Sequence, residues 1–128
     1  MNRKGWGIVS IDSLLMELVS TVDGATGAII VAHDGEGVHW CVSNNSERLR
    51  LRGAYVAFVM QTFRAAVSRA GLGHLRHLVV EHDGASLIAH EIDNDCSVVL
   101  ELKPGETVGR AVYQLRTAAA KLRDEITL

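Results

Sequence analysis

One long segment, residues 47–70, organises this sequence, and it reads ERLRLRGAYVAFVMQTFRAAVSRA. Asn44-Asn45-Ser46 precedes it as a cap and Gly71 follows it, so the pattern predicts a helix from Glu47 to Ala70. At about 100° per residue, the apolar side chains of this helix fall into two stripes on nearly opposite sides. The first stripe contains Leu49, Val56, Met60, Phe63 and Val67. The second stripe contains Leu51, Ala54, Tyr55, Phe58, Thr62 and Ala65.

The second stripe needs a cover, because a helix that lies on a sheet buries only one apolar stripe. One interpretation is that another helix of the same chain covers it. That interpretation fails by counting if the other helices cover the opposite face of the sheet. The favoured interpretation is a subunit partner, most simply in an isologous twofold dimer. Gly53, Ala54 and Ala57 are small enough to let two helices approach closely.

The rest of the chain has the periodicities of two more helices and five strands. Ser10 is the predicted N-cap of a first helix, whose apolar face contains Ile11, Leu14, Leu15, Leu18 and Val22. The predicted strands are 26–33, 38–43, 74–82, 85–92 and 96–103. Thr107 opens a last helix that reaches Ile126. This order predicts an α+β fold, in which helices cover both faces of a five-stranded antiparallel sheet.

The composition is that of one soluble domain. The chain has 128 residues, 48% of them apolar and 22% charged, and it contains no linker or repeat. Its net charge of −2 predicts no attraction to nucleic acid. No apolar run approaches the ~20 residues of a membrane helix, so we expect no membrane insertion. Cys41 and Cys96 are too few for a disulfide framework, which favours a reducing, cytoplasmic location.

The sequence lacks the motifs of two common enzyme classes. There is no glycine-rich phosphate loop ending in Gly-Lys-Ser/Thr, and neither cysteine lies in a recognisable nucleophile motif. We therefore expect no catalytic residue, no metal and no cofactor.

Two histidines are the strongest candidates for a metal or ligand site. If Asp83-Gly84 forms a two-residue hairpin turn, His77 lies opposite His90 and Arg76 lies opposite Glu91 as an ion pair. Two imidazoles without a third ligand make a weak metal site, which favours ordinary sheet histidines. Protonating both would place like charges together, so we expect lowered pKa values and lower stability below about pH 6.5.

Several motifs, taken in order, resemble one known family. They are Gly24-Ala25-Thr26-Gly27-Ala28-Ile29-Ile30-Val31 with Asp34-Gly35, the long helix, Leu78-Val79-Val80-Glu81-His82-Asp83-Gly84, and Ser97-Val98-Val99-Leu100-Glu101-Leu102. Their combination is similar to the roadblock/dynein-light-chain domain, which small GTPase regulators and scaffold subunits share. The resemblance covers about residues 11–126. It implies the strand order 2-1-5-4-3, with the long helix on one face of the sheet and two helices on the other.

The resemblance also implies a function and a set of contacts. It implies a non-catalytic homodimer, in which the third strand pairs with its copy, that binds a Ras-like small GTPase through its second helices. The implied dimer interface is Leu51, Ala54, Tyr55, Phe58, Thr62, Ala65, Leu78 and Val80. The implied contacts to the GTPase are Arg48, Arg52, Gln61 and Arg64. The alternatives are a dimeric adaptor of a multiprotein complex and, less favoured, a small-ligand sensor that uses the histidines.

Overall fold

The computed structural model describes residues 3–126, with side chains from Ile11 onward. It contains three helices and five strands in the predicted order, α-β-β-α-β-β-β-α. Their bounds are α1 Arg3–Thr21, β1 Ala25–Ala32, β2 Gly37–Val42, α2 Ser46–Arg69, β3 His77–Glu81, β4 Ser86–Glu91, β5 Cys96–Leu102 and α3 Val108–Ile126. None of the described helices is both long enough and apolar enough to cross a membrane.

The five strands form one antiparallel sheet in the order β2-β1-β5-β4-β3, as predicted. Strands β2 and β3 are therefore its two edges. The register of the β3–β4 hairpin is also confirmed, since His77 pairs with His90 and Val80 pairs with Leu87. The Asp83-Gly84 turn sets this register, because the amide of His82 donates to the carbonyl of Ala85 across it, at 2.9 Å.

Two apolar cores lie on opposite faces of the sheet. The larger core packs α1 and α3 against one face, and it includes Leu15, Leu100 and Leu115. The smaller core packs α2 against the other face, and it includes Ile29 and Val56. Among the helices of residues 3–126, α2 is the one that packs on this face, as predicted.

The position of Gly53 allows α2 to lie close to β1. A Cβ atom at Gly53 would stand 2.9 Å from Cγ1 of Val31, which is closer than such atoms approach. Val31 is buried and β-branched, so it has little freedom to move aside. The helix therefore meets the sheet at a glycine because a larger residue would hold the two apart.

Two predicted boundaries are wrong by more than one residue. The first helix begins at Arg3, so Ser10 lies inside it and is not its N-cap. Once a helix is anchored by its packed part, each further residue adds one hydrogen bond at low cost, so a serine alone does not stop it. The third strand begins at His77 and not at residue 74, because its partner β4 ends at Glu91, opposite Arg76.

Candidate interaction surface

Helix α2 makes one contact on each of its two sides, and together these contacts show how it is oriented on the sheet. The Tyr55 hydroxyl lies 3.3 Å from Nε2 of His82, beyond the end of β3, so Tyr55 points toward the β3 edge. The Arg50 guanidinium lies 5.0 Å from the ring centre of Trp40 in β2, so Arg50 points toward the β2 edge. The side between these two residues, opposite the sheet, is therefore the outer side of α2.

The predicted second stripe is exposed. Leu51 and Phe58 are each 72% exposed, and Tyr55 is 44% exposed. Thr62 and Ala65 are also exposed, and Ala54 is half-buried. Within residues 11–126, no other helix covers these side chains, which excludes the single-chain explanation for the stripe in that range.

The stripe divides into two surfaces. At about 100° per residue, Leu51, Phe58 and Thr62 point roughly 180° away from the buried Gly53, Val56 and Met60. We call Leu51, Phe58, Thr62 and Ala65 the outer ridge. Tyr55 instead begins a line at four-residue spacing that continues through Val59 and Phe63 along the β3 side of the helix.

Strand β3 lies beside that line. Leu78 and Val80 are half-buried and stand opposite Ala89 and Leu87, which belong to the α2-side core. In the part of the chain that the structure describes, β3 has one neighbouring strand, β4. We call Tyr55, Val59, Phe63, Leu78 and Val80 the β3-side surface. It combines exposed apolar side chains with an open strand edge.

The sequence pattern placed Phe63 and Val67 in the buried stripe, and this was wrong. Phe63 is 46% exposed and Val67 is half-buried. The 24 residues of α2 span roughly 36 Å, whereas the eight residues of β1 span roughly 26 Å. The last turns of α2 therefore run beyond the strand that buries Leu49, Val56 and Met60.

Arg52, predicted to contact a partner, forms an ion pair within the chain. Its Nη1 atom lies 2.6 Å from Oε2 of Glu101, whose side chain is only 2% exposed. The other carboxylate oxygen of Glu101 accepts a hydrogen bond from the Thr26 hydroxyl at 2.6 Å. Sequence reasoning missed Glu101 as a functional residue, although an acidic side chain within an otherwise apolar central strand is a signal for a buried ion pair.

Arg64 is also held by the domain. Its Nη1 atom donates to Nε2 of His33 at 3.3 Å, and its Nη2 atom lies 3.5 Å from Oε2 of Glu91. The other carboxylate oxygen of Glu91 accepts from Nε2 of His74 at 2.5 Å. The predicted ion pair between Arg76 and Glu91 is therefore wrong, because the Glu91 carboxylate contacts Arg64 and His74. The backbone pairing of Arg76 and Glu91 is present.

The four predicted partner contacts thus differ in availability. Arg48 and Gln61 are exposed, and Arg48 makes a peripheral hydrogen bond of 3.3 Å to Asn44. Arg52 and Arg64 are engaged with buried or half-buried carboxylates. Removing either would disturb the docking of α2 before it disturbed any partner.

His77 and His90 are neighbours, as predicted. Their rings are nearly parallel, at 14°, and their centres are 6.0 Å apart. Burial lowers the pKa of His90 below 6.5; the hydrogen bond to the carbonyl of Glu91 opposes this, and the positive charges of His77 and Arg116 add to it. Among residues 11–126, no three potential ligands are grouped to hold a metal ion.

Both cysteines are free thiols. Burial raises the pKa of Cys96 to about 12, and the nearby Asp93 carboxylate adds to the effect. Cys96 is therefore a protonated thiol at neutral pH, which makes it a poor nucleophile.

The fold of this chain is similar to that of several solved structures. No protein-family model and no curated protein matches the chain. A roadblock/LC7 domain from Streptomyces avermitilis is similar in structure at 19% identity and a TM-score of 0.82, over 91% of this chain and 98% of that chain. The gliding protein MglB from Thermus thermophilus is similar in structure at 16% identity and a TM-score of 0.82. The match covers 93% of this chain and 90% of that chain.

A third solved structure is MglC from Myxococcus xanthus, at 26% identity and a TM-score of 0.65, over 91% of this chain and 98% of that chain. The chain is an α+β domain with a single long helix on one face of its sheet. It has the roadblock/LC7 fold, which confirms the resemblance seen in the sequence.

Replacing Arg52 with alanine is expected to destabilise the domain. The Glu101 carboxylate would stay buried with Thr26 as its remaining side-chain donor, and losing a hydrogen bond to a charged group costs about 1.5–3 kcal/mol. Urea unfolding at one fixed protein concentration measures the loss. Arg48→Ala is the control, because an exposed side chain should change the free energy of unfolding by less than about 0.5 kcal/mol. Equal losses in both variants would contradict this role.

The lowered pKa of His90 predicts a loss of stability in acid. The unfolded chain protonates this histidine at about pH 6.5, and the folded chain does so only at lower pH. The contribution of neutral His90 to the free energy of unfolding is therefore fully present above pH 6.5. It is lost as the pH falls from 6.5 through the pKa of the folded state. Unfolding free energies at pH 7.5 and 5.5 should therefore fall less in His90→Gln than in the unmodified protein. The same fall in both proteins would count against the prediction.

Proposed function

We propose that the protein is a homodimeric, non-catalytic regulator that binds a Ras-like small GTPase. The observation that carries the proposal is the β3-side surface, where exposed apolar side chains of α2 lie beside an open strand edge. Exposed apolar patches of this kind mark protein interfaces. The roadblock/LC7 fold supplies the class of partner, since the family resemblance implies small GTPases.

The proposed dimer joins two copies at β3. Two β3 edges pair antiparallel across a twofold axis, which continues the sheet and satisfies the open backbone groups. The two α2 helices then lie side by side, with Tyr55, Val59 and Phe63 of each copy in the seam. Leu78 and Val80 form its floor. One solved neighbour is MglB in a tetrameric arrangement, which supports self-association for this fold.

This proposal revises the interface implied by the resemblance. It keeps Tyr55, Leu78 and Val80 and adds Val59 and Phe63. Thr62 borders the seam. Leu51, Ala54, Phe58 and Ala65 point away from β3 or toward the β1–β2 turn, where Ala54 packs beside Gly35. We therefore leave these four residues out of the proposed seam.

A regulator of this design acts through differential affinity. The GTPase supplies the phosphate loop and the catalytic groups, and the dimer selects one of its conformations. Arg48 and Gln61 remain the proposed polar contacts because both are exposed. Arg52 and Arg64 hold α2 on the sheet and so position the helix that makes those contacts. We propose a cytoplasmic location, where such GTPases work.

A charge in the seam is expected to separate the dimer. Phe63→Glu would place a carboxylate in a desolvated interface, and 46% exposure in the single chain means that folding should tolerate it. Light scattering at micromolar concentration should give a dimer for the unmodified protein and a monomer for the variant. The matched control is Tyr113→Glu, 61% exposed on α3 at the opposite face, which should remain dimeric. A monomeric unmodified protein would disprove the proposal.

Binding to the GTPase is expected to depend on the nucleotide. The purified protein should not hydrolyse GTP alone, and it should bind a Ras-like GTPase encoded nearby more tightly with GTP than with GDP. Arg48→Ala should slow association more than it speeds dissociation, most strongly at low salt. Calorimetry and stopped-flow measurements on both nucleotide forms provide the comparison. Equal affinities, or no binding, would favour the adaptor function instead.

A further inference from the structure

Strands β3 and β4 bring two imidazoles together near the open edge of the sheet. His77 and His90 are register partners, and their ring centres lie 6.0 Å apart. The next pair along the hairpin is a hydrogen-bonded one, because the amide of Glu91 donates to the carbonyl of Arg76. The two kinds of pair alternate along antiparallel strands. His77 and His90 therefore form a non-hydrogen-bonded pair, the kind in which opposite side chains come closest.

The ring of His90 is held in the tautomer that a metal ligand needs. Its Nδ1 atom lies 2.9 Å from the carbonyl oxygen of Glu91, and a carbonyl oxygen can only accept a hydrogen bond. Nδ1 therefore carries a proton, and Nε2 of the neutral ring keeps its lone pair. Histidines that bind metals almost always donate their other ring N–H in this way. His77 is exposed, so its ring can turn toward the same point.

The proposed dimer determines which side chain of the second copy lies opposite His77. The backbone groups of Leu78 and Val80 bond to β4, so those of residues 77, 79 and 81 point to the open edge. Two copies that pair through all five residues of β3 therefore have their twofold axis at Val79. With this pairing, His77 of one copy lies directly opposite Glu81 of the partner subunit.

Glu81 is available as a ligand on the same face as the imidazoles. Its side chain is exposed, and among residues 11–126 its carboxylate forms no ion pair or hydrogen bond. Val79 packs against the core of α1 and α3, and side chains two residues apart in a strand share a face. Residues 77 and 81 therefore both lie on the α3 side of the sheet. Paired residues of neighbouring strands also share a face, so the partner's Glu81 joins His77 there.

The charges around the imidazole pair favour a cation once the second copy is present. Within one chain, two charged side chains act on His90, Arg116 on α3 and Glu91 beside it, and their effects have opposite signs. The partner's Glu81 adds a further negative charge close to His77. A divalent cation would therefore be attracted to the paired edges more strongly than to the edge of a single chain.

We propose that the dimer binds a zinc ion at each of two equivalent sites, through His77 and His90 of one copy and Glu81 of the partner subunit. Two histidines and one glutamate are a known donor set for Zn²⁺, with water in the fourth position. The inference rests on the proposed function, because the third ligand comes from the second copy. Accordingly, residues 11–126 of one chain contain no group of three ligands. Since the ion binds the paired copies, it stabilises the dimer.

Zinc binding by the tag-free protein is the first test. After a chelator has removed bound metal, calorimetric titration with Zn²⁺ should give one ion per chain. His77→Gln, His90→Gln and Glu81→Gln should each weaken binding by about tenfold or more, since each removes a ligand. His39→Gln is the matched control, because His39 lies on the other edge strand beside Asp12 and should leave binding unchanged. No zinc binding, or the same loss in the control, would overturn the inference.

Mixed dimers test whether two copies share the site. One copy carries His77→Gln and His90→Gln and keeps Glu81, and the other carries Glu81→Gln and keeps both histidines. The two are produced in the same cells and isolated as mixed dimers through two different tags that contain no histidine. Neither variant alone should bind zinc tightly, whereas the mixed dimer should bind one ion at its single complete site. Tight binding by the Glu81→Gln variant alone, or no recovery in the mixed dimer, would overturn the inference.

The metal site and the proposed function fail in different ways. Light scattering in the presence of a chelator should still give a dimer, because the apolar seam does not depend on zinc. A dimer that binds no zinc would overturn the metal site and leave the proposed function in place. A zinc-binding dimer that binds no Ras-like GTPase would overturn the function and leave the metal site in place. A protein that is monomeric with and without zinc would contradict both.

Discussion

A single sheet face can bury only one side of a helix, and this constraint shapes the whole domain. Helix α2 has apolar side chains around most of its circumference, and Gly53 brings it against Val31 and Ile29 of β1. Burial of Leu49, Val56 and Met60 leaves the remaining apolar positions in water. Each such side chain loses roughly 1.5–3 kcal/mol of transfer free energy by staying exposed. The single chain therefore leaves the apolar burial of α2 incomplete.

Two ion pairs with buried or half-buried carboxylates determine which side of α2 faces the sheet and which side faces solvent. Glu101 in β5 binds Arg52 in the second turn of the helix, and Glu91 in β4 binds Arg64 more than three-quarters of the way along it. Such pairs contribute little net stability, since desolvation offsets their attraction. They do favour one orientation, because rotating α2 would separate both carboxylates from their arginine partners. The apolar contacts hold α2 on the sheet, and the ion pairs determine how α2 is rotated about its axis.

Local patterns predicted the elements well, whereas the direction of side chains around α2 depended on the tertiary structure. The Asp83-Gly84 turn was enough to place His77 opposite His90, because a two-residue turn leaves one register. Periodicity alone could not show whether Tyr55 or Phe58 faces the β3 edge, since that depends on which strand the helix crosses. The arginines show the same limit. Arg48 and Arg52 look equivalent in the sequence, and only the position of Glu101 in the folded sheet distinguishes them.

The contact between Arg50 and Trp40 gives the domain an optical reporter. The Trp40 indole is 40% exposed on the β2 edge, and Arg50, which lies over it, is the neighbour of Leu51. A protein seated on Leu51 would displace water near this indole and shift its emission, whereas a change at the β3 edge would leave its surroundings intact. With Trp6 replaced by phenylalanine, the fluorescence of the remaining tryptophan would follow occupancy of one side of the helix without an added label.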